Sequence, residues 1–369
     1  MDVKKAAEDI LASVNIQING GRPWDICVKD DRFFSRVIQQ GSLGLGESYM
    51  DGWWKCERLD EFFTKILTDD VRNKIKKHWP VIVQAILAGL FNQQRPSKAF
   101  EIGQKHYDVG NDLYKAMLDK RMVYTCGYWA GAENLDQAQE NKLNLVCKKI
   151  GLKAGDRVLD IGCGWGSFAK YASENYGVEV VGITVSKEQL ELGQENTKGL
   201  PVELRLQDYR DITGEFDHVV SLGMFEHVGY KNYRTYMEVV HRVLKDDGMF
   251  LLHTIGGLKS GRTTDPWIAK YIFPNSMLPS MKQIASAIEG LFVVEDWHSF
   301  GADYDKTLMA WHQNISNAWP KNNRYDERFR RMWSYYLLAS AGSFRSRKNQ
   351  LWQIVMHKHG IKGGYQSIR

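Results

Sequence analysis

This 369-residue chain has five cysteines, Cys27, Cys56, Cys126, Cys147 and Cys163, and no C-x-x-C pair among them. The ligand spacing of a zinc ribbon is therefore excluded. No uninterrupted apolar run reaches the ~20 residues that a membrane-spanning helix needs. The opening residues, Met1-Asp2-Val3-Lys4-Lys5-Ala6-Ala7-Glu8-Asp9, lack the apolar core of a signal peptide. Low-complexity tracts are missing, and so are internal repeats at periods of roughly 20 to 50 residues. Disorder beyond the termini and solenoid architectures are thereby set aside. The net charge of +5 is too small to imply nucleic acid. These absences describe a soluble cytoplasmic protein with reduced thiols.

What is present is an ordinary globular composition, 43% hydrophobic and 25% charged, with twelve Trp and seventeen Tyr for large apolar contact surfaces. The length suggests about two domains. Charge is unevenly spread. Val71 to Phe100 holds six Lys/Arg and no Asp/Glu. Within it, Ile75, Trp79, Ile82, Val83, Ile86 and Leu90 share one helical face by their spacing. A short apolar helix with basic flanks suits a membrane surface, and equally a core helix with a solvated basic edge. Asn92-Gln93-Gln94-Arg95-Pro96-Ser97-Lys98 reads as a linker. The expected division is 1–91 as a smaller, mainly helical domain that associates with lipid or dimerises, 92–100 as linker, and 101–369 as the catalytic domain.

From about Asp156, short β-branched runs alternate with helical ones. Strands are expected at 157–161, 179–185, 202–206, 216–224 and 249–255, with helices at 167–176 and 233–244. Ser186-Lys187-Glu188-Gln189 has the spacing of a capping box opening another helix. The fold class is α/β, a Rossmann-like, mostly parallel sheet with helices on both faces. Ligands in such sheets sit at the carboxyl ends of the strands. Glu226, His253 and the loop after Ile161 all fall at that edge.

The first strand runs into Asp160-Ile161-Gly162-Cys163-Gly164-Trp165-Gly166. The glycines are spaced G-x-G-x-G, one residue tighter than a dinucleotide fingerprint, and the Walker lysine is missing. Alternate glycines let backbone lie flat against a ligand. Asp-x-Gly-x-Gly-x-Gly after a first strand resembles motif I of the S-adenosylmethionine (SAM) methyltransferases. The second strand of many such enzymes ends in an acid that grips the ribose hydroxyls. Here Thr184 stands at that place, with Gln189 in reach from the next turn. Gln207 and Asp208 end the third strand, where an acid can accept the adenine amino group.

Six further blocks narrow the reading: His106-Tyr107-Asp108-Val109-Gly110-Asn111-Asp112-Leu113-Tyr114; Tyr124-Thr125-Cys126-Gly127-Tyr128-Trp129; Gly223-Met224-Phe225-Glu226-His227-Val228-Gly229; Leu251-Leu252-His253-Thr254-Ile255-Gly256; Lys270-Tyr271-Ile272-Phe273-Pro274-Asn275; and Gly301-Ala302-Asp303-Tyr304-Asp305-Lys306-Thr307-Leu308. In this order they resemble the cyclopropane-fatty-acyl-phospholipid synthases of bacteria. The resemblance covers about His106 to Trp352, and extends more loosely through Gly41–Trp54.

The resemblance implies transfer of the SAM methyl to a cis double bond of an unsaturated phospholipid acyl chain, then loss of a proton and closure of a three-membered ring. It also implies bicarbonate as the base, held by Cys126, Glu226, His253, Tyr304 and the backbone N–H of Ile255. A thiol, an imidazole, a phenol and an N–H can all donate to an oxyanion, and Glu226 can accept the hydrogen of the ion. Tyr124 and Thr125 match a SAM-contacting Tyr-Ser pair, Thr replacing Ser. His106 and Tyr107 would help cover SAM. The implied partners are membrane phospholipid, met peripherally at the inner face of the cell membrane, and a second copy in a homodimer. The rival acceptor is a small amine, N-methylated by a related enzyme.

Glu226 and His227 are adjacent, but a continuing strand pleat would send them to opposite sides. His227 is thus assigned to the scaffold. The aromatic stretch Tyr325 to Ala341 is expected to be a helix, with Phe329, Trp333, Tyr336, Leu337 and Ser340 on one face. Core packing and acyl-tunnel lining both fit it. Arg345, Arg347 and Lys348 are candidates for headgroup contact or for a solvated surface.

Overall fold

The structure is a computed structural model that describes residues 3–68, 110–321 and 324–369. The basic segment Val71–Phe100, the linker at 92–100 and the pair His106 and Tyr107 lie outside the described residues. The chain forms two compact units from interleaved segments. One takes Met1–Met117, Thr264–Asn275 and Leu308–Lys348; the other takes Leu118–Thr263, Ser276–Thr307 and Asn349–Arg369. The contiguous division expected from sequence has no counterpart for the two later segments of the first unit.

The first unit is mainly helical. Its helices Arg32–Gln40, Ser42–Met50, Leu59–Ile66 and Glu327–Arg345 surround Trp54, which is fully buried. Two-residue strands β1 (Cys27–Val28) and β2 (Trp54–Lys55) pair antiparallel. The Trp54 indole N–H donates to the Leu45 carbonyl at 3.1 Å, which satisfies the ring's polar atom inside the core. Gly342 lets the last helix approach Leu59–Ile66, because a Cβ there would stand 2.6 Å from Phe63 Cβ. The aromatic stretch is therefore core: Phe329 stacks on Tyr325 at 4.5 Å and on Trp333 at 5.8 Å. Arg345 is bound to Asp60 and Glu61, each at 2.7 Å, a carboxylate engagement the sequence did not signal. Burial works against the Asp60 charge, but Arg58 and Arg345 outweigh it and hold the carboxyl down at about 2.

The second unit is built on a seven-stranded sheet. Its strands are β3 (Arg157–Ile161), β4 (Glu179–Thr184), β5 (Val202–Leu206), β6 (Phe216–Leu222), β7 (Leu244–Gly257), β8 (Val293–Ser299) and β9 (Asn349–His357). Their order is β5-β4-β3-β6-β7-β9-β8. Neighbours are parallel from β5 to β7, while β9 runs antiparallel to both β7 and β8. Consecutive residues such as Leu159 and Val158, Val219 and Val220, or Phe250 and Leu251 enter opposite core clusters. A sheet covered on both faces needs that unbroken apolar run. Helices Tyr233–Val243 and Met281–Ile288 pack into one cluster, Leu135–Lys149 and Ser167–Tyr176 into the other. The α/β class, mostly parallel and covered on both faces, is as expected.

Local differences have local causes. The Ser186 hydroxyl accepts from the Gln189 N–H, but the Gln189 side chain accepts from the Thr184 hydroxyl at 3.0 Å, so only half of the expected capping box forms. A full capping box stands instead at Ser280 and Gln283. Strand β7 is longer than its apolar centre, because pairing with β9 continues to Gly257.

Candidate active site

The glycine loop leaves β3 with Gly162, Gly164 and Gly166 all at positive φ, at 85°, 55° and 76°. A side chain is disfavoured there. At Gly162 it would also collide, with a Cβ 2.6 Å from Met224 Cβ. Gly223, at φ 77°, is closed in the same way: its Cβ would stand 2.6 Å from Thr125 Cγ2. The carboxyl ends of β3 and β6 and the segment carrying Tyr124, Thr125 and Cys126 are thus packed edge to edge.

The candidate cofactor residues line this edge unequally. Asp160 is buried, and burial pushes its carboxyl up to about 7 against the opposing field of Lys142. Thr184 and Gln189 are hydrogen-bonded to each other. The Gln207 amide donates to Asp211 O at 2.9 Å. Asp208 accepts from the Arg210 N–H and pairs with its guanidinium at 2.7 Å, so its carboxylate caps a 3₁₀ turn just beyond the end of β5. Beside them Val185 is 78% exposed and Leu206 46%, two apolar surfaces at the ends of neighbouring strands.

Glu226 follows β6 in a 3₁₀ turn, Phe225–His227. It is buried, and the Ile255 N–H donates to its Oε1 at 2.7 Å. Its Oε2 has no hydrogen-bond partner. Burial pushes the carboxyl up to about 7, and the Ile255 N–H, with the Thr254 hydroxyl nearby, works against that rise. The N–H expected to donate to a bound ion is thus donating to Glu226. Glu226 and His227 differ in exposure, and both sit in a 3₁₀ turn, where the strand pleat invoked from sequence no longer runs.

His253 lies opposite Gln353 in the β7–β9 register, and its Nδ1 faces the Gln353 amide nitrogen at 3.3 Å. That partner makes Nδ1 the acceptor and leaves the proton on Nε2. The Nε2 atom is buried without a partner. Burial first, then the field of Lys142, holds the ring well below the usual imidazole range, and therefore neutral. Cys126 is fully buried; its thiol lies 3.2 Å from Gly127 O and 3.8 Å from the Thr307 hydroxyl. Burial raises it well above the usual thiol range, which keeps it a neutral donor and argues against a nucleophile. Thr307 also accepts from the Gly127 N–H and the Trp129 indole, and the same helical turn carries Tyr304, which is buried. The structure thus joins Glu226 to Ile255 directly, and Cys126 to the turn that bears Tyr304.

Sequence reasoning missed Gln353, Thr307 and Lys142. Lys142 carried a signal: it repeats with Leu135, Ala138 and Val146 on the apolar stripe of its helix, where a charge is out of place. Gln353 and Thr307 carried none, since each meets its partner only through strand register or helix docking. No group of side chains among the described residues has the make-up of a metal site.

Residues 94–354 match the family described as mycolic acid cyclopropane synthetase. The chain is 54% identical to the cyclopropane-fatty-acyl-phospholipid synthase of Escherichia coli K12 over 366 residues, 99% of this chain and 96% of that one. Among solved structures it is similar to a cyclopropane synthase of Mycobacterium tuberculosis, with a TM-score of 0.65, 28% identity, and coverage of 72% of this chain and 99% of that one. It is similar also to a mycolic acid cyclopropane synthase in complex with S-adenosylhomocysteine (SAH), with a TM-score of 0.64, 31% identity, and coverage of 70% and 98%. The chain belongs to the cyclopropane synthase family of SAM-dependent methyltransferases.

Proposed function

We propose that this chain transfers the methyl of SAM to a cis double bond of an unsaturated phospholipid acyl chain and closes a cyclopropane ring on it, releasing SAH. The observation that carries the reading is the pair of orphaned polar atoms behind the strand ends, Glu226 Oε2 and His253 Nε2, both buried without a partner. Buried polar atoms are seldom left unpaired, and a small polar ligand reaching both would satisfy them.

Asp160, Gly162 and Gly164 of the glycine edge, the Thr184–Gln189 pair and Asp208 would hold SAM, with the exposed Val185 and Leu206 offering apolar surface to its adenine. SAM supplies an electrophilic methyl. An alkene is a weak nucleophile, so the protein acts chiefly by holding the two in line. The cationic acyl chain that follows needs a dry, aromatic surround, because water would quench it.

Proton removal needs a base that is small and close. Bicarbonate fits the donor set: the Cys126 thiol, the neutral His253 with its proton on Nε2, and the Tyr304 phenol can hold its oxygens. Bound there, it would supply the basic oxygen. Glu226, poised near neutrality and fixed through Ile255, can accept the hydrogen of the ion or carry the proton onward. The substrate places the reaction at a membrane, and the reading includes peripheral docking on the inner face of the cell membrane and a homodimer. Among the described residues, no helix is long and apolar enough to cross a bilayer.

The test is incubation with SAM and vesicles of unsaturated phospholipid, with and without bicarbonate. Acyl chains should gain one methylene and lose their alkene hydrogens, at a rate that rises with bicarbonate. Protein that binds SAH yet leaves the lipid unchanged, or that methylates a soluble amine instead, overturns the reading.

A further inference from the structure

Lys142 is the least expected side chain in the second unit. It lies in the middle of helix Leu135–Lys149 and is fully buried. Its ammonium donates to the Thr125 hydroxyl at 2.9 Å. An ammonium has three donors. The buried Asp119 carboxylate and Asp160 lend it their fields, but among the described residues neither comes within salt-bridge distance of it. A buried cation without a paired anion is costly. Burial does lower the group to about 8, but its charge is felt at Asp160, Cys126 and His253 together. The neighbouring Gln139 amide donates to Thr125 O at 2.7 Å, so one helix holds both the carbonyl and the hydroxyl of Thr125. Thr125 in turn packs on Gly223 beside the glycine loop.

We propose that Lys142 is a positioning residue for the amino-acid end of SAM, acting through Thr125. Because the lysine donates to Thr125 Oγ1, the hydroxyl cannot spend its own hydrogen on Lys142 and must offer it elsewhere. It is thereby set to donate to an α-carboxylate, with the ammonium charge behind it. An α-ammonium near Asp160, at the penultimate position of β3, would favour the carboxylate form of that buried group. A carboxylate and a hydroxyl-relayed cation at one edge are the complement of a zwitterion. This inference rests on the reading that SAM binds at this glycine edge.

The test is calorimetric binding of two probes, SAH and its decarboxylated analogue, which keeps the ammonium and lacks the carboxylate. The wild-type protein should prefer SAH. Lys142→Met should weaken SAH by about tenfold to a hundredfold, the scale of a charge-assisted contact, and leave the analogue nearly unchanged. Thr125→Val should lose the same preference, and Thr125→Ser should keep it. Equal weakening of both probes would make Lys142 merely structural and overturn the proposal. So would an unchanged preference accompanied by loss of bicarbonate dependence, which would place the lysine's action at the oxyanion donors. If Lys142→Met fails to fold, as a melting curve would reveal, the Val and Ser variants of Thr125 decide alone. Wild-type protein that binds neither probe refutes the SAM reading itself, a distinct result.

Discussion

The Ile255 N–H donates to Glu226 Oε1 at 2.7 Å and leaves Glu226 Oε2 buried without a partner. One carboxylate oxygen is thus fixed by the backbone of β7, and the other is available for chemistry. The bond joins the 3₁₀ turn after β6 to the end of the neighbouring strand, so the orientation of Glu226 is set by the sheet.

Replacing that carboxylate separates binding from turnover. Glu226→Gln keeps a polar oxygen for the Ile255 N–H but cannot take up a proton. Methyl transfer to phospholipid vesicles should fall by about 10²–10⁴-fold, the usual contribution of acid–base groups. SAH affinity, measured calorimetrically, should stay within about twofold, because the substitution keeps the size of the side chain and its polar oxygen for Ile255. Retention of wild-type turnover would remove Glu226 from the proton path.

Gln353 sets the tautomer of His253 through the 3.3 Å contact to Nδ1. Gln353→Glu presents an acceptor there, which draws the imidazole proton to Nδ1 and turns Nε2 into an acceptor. An oxyanion would then meet a lone pair. The half-saturating bicarbonate concentration should rise by about tenfold or more, in keeping with one lost buried donor. A bicarbonate titration of initial rates checks this; an unchanged midpoint contradicts the tautomer assignment.

Stability should carry the signature of Glu226 and Asp160, both pushed up to about 7 from ordinary values of 4.5 and 3.8. Between the ordinary and the raised values the folded protein binds more protons than the unfolded chain. Their contribution is therefore fully present at low pH and is lost as pH rises toward 7. Relative to wild type, the melting temperature of Glu226→Gln should increase from about pH 5 to about pH 8, since that variant lacks one of the two penalties. A constant difference across this range would show that Glu226 titrates normally.

Gly223→Ala tests the packing of the site. The added Cβ would stand 2.6 Å from Thr125 Cγ2 at a backbone φ of 77°. Thr125 must yield, and overpacking of this kind costs about 1–3 kcal/mol. A lowered melting temperature with weaker SAH binding is expected. Gly131→Ala, also at positive φ but with nothing within 4 Å, serves as the control for backbone strain alone.

Much of this was legible in the residues. The alternation of β-branched runs with helical stretches specified the parallel sheet, because strands covered on both faces must be apolar throughout. The glycine spacing specified the loop, because positive φ disfavours side chains at those positions. The order of the motif blocks carried the candidate set Cys126, Glu226, His253, Ile255 and Tyr304. Legibility stopped where meaning depends on a partner distant in sequence. The N–H of Ile255 looked like a donor for an ion, and only the β6–β7 pairing aims it at Glu226 instead. Arg345 looked like a candidate for a phospholipid headgroup until helix packing brought it to Asp60.

Sequence by itself therefore determined the periodicities, the glycine loop and the kinds of donor available, all of which are properties of short runs of chain. Tertiary structure alone decided which donor meets which acceptor. Glu226 is half-satisfied by Ile255, His253 has its proton placed by Gln353, and Lys142 is buried behind Thr125. The physical reason is common to all three. Protonation state and hydrogen-bond direction are set by burial and by the nearest polar atom, and the sheet brings that atom from elsewhere in the chain.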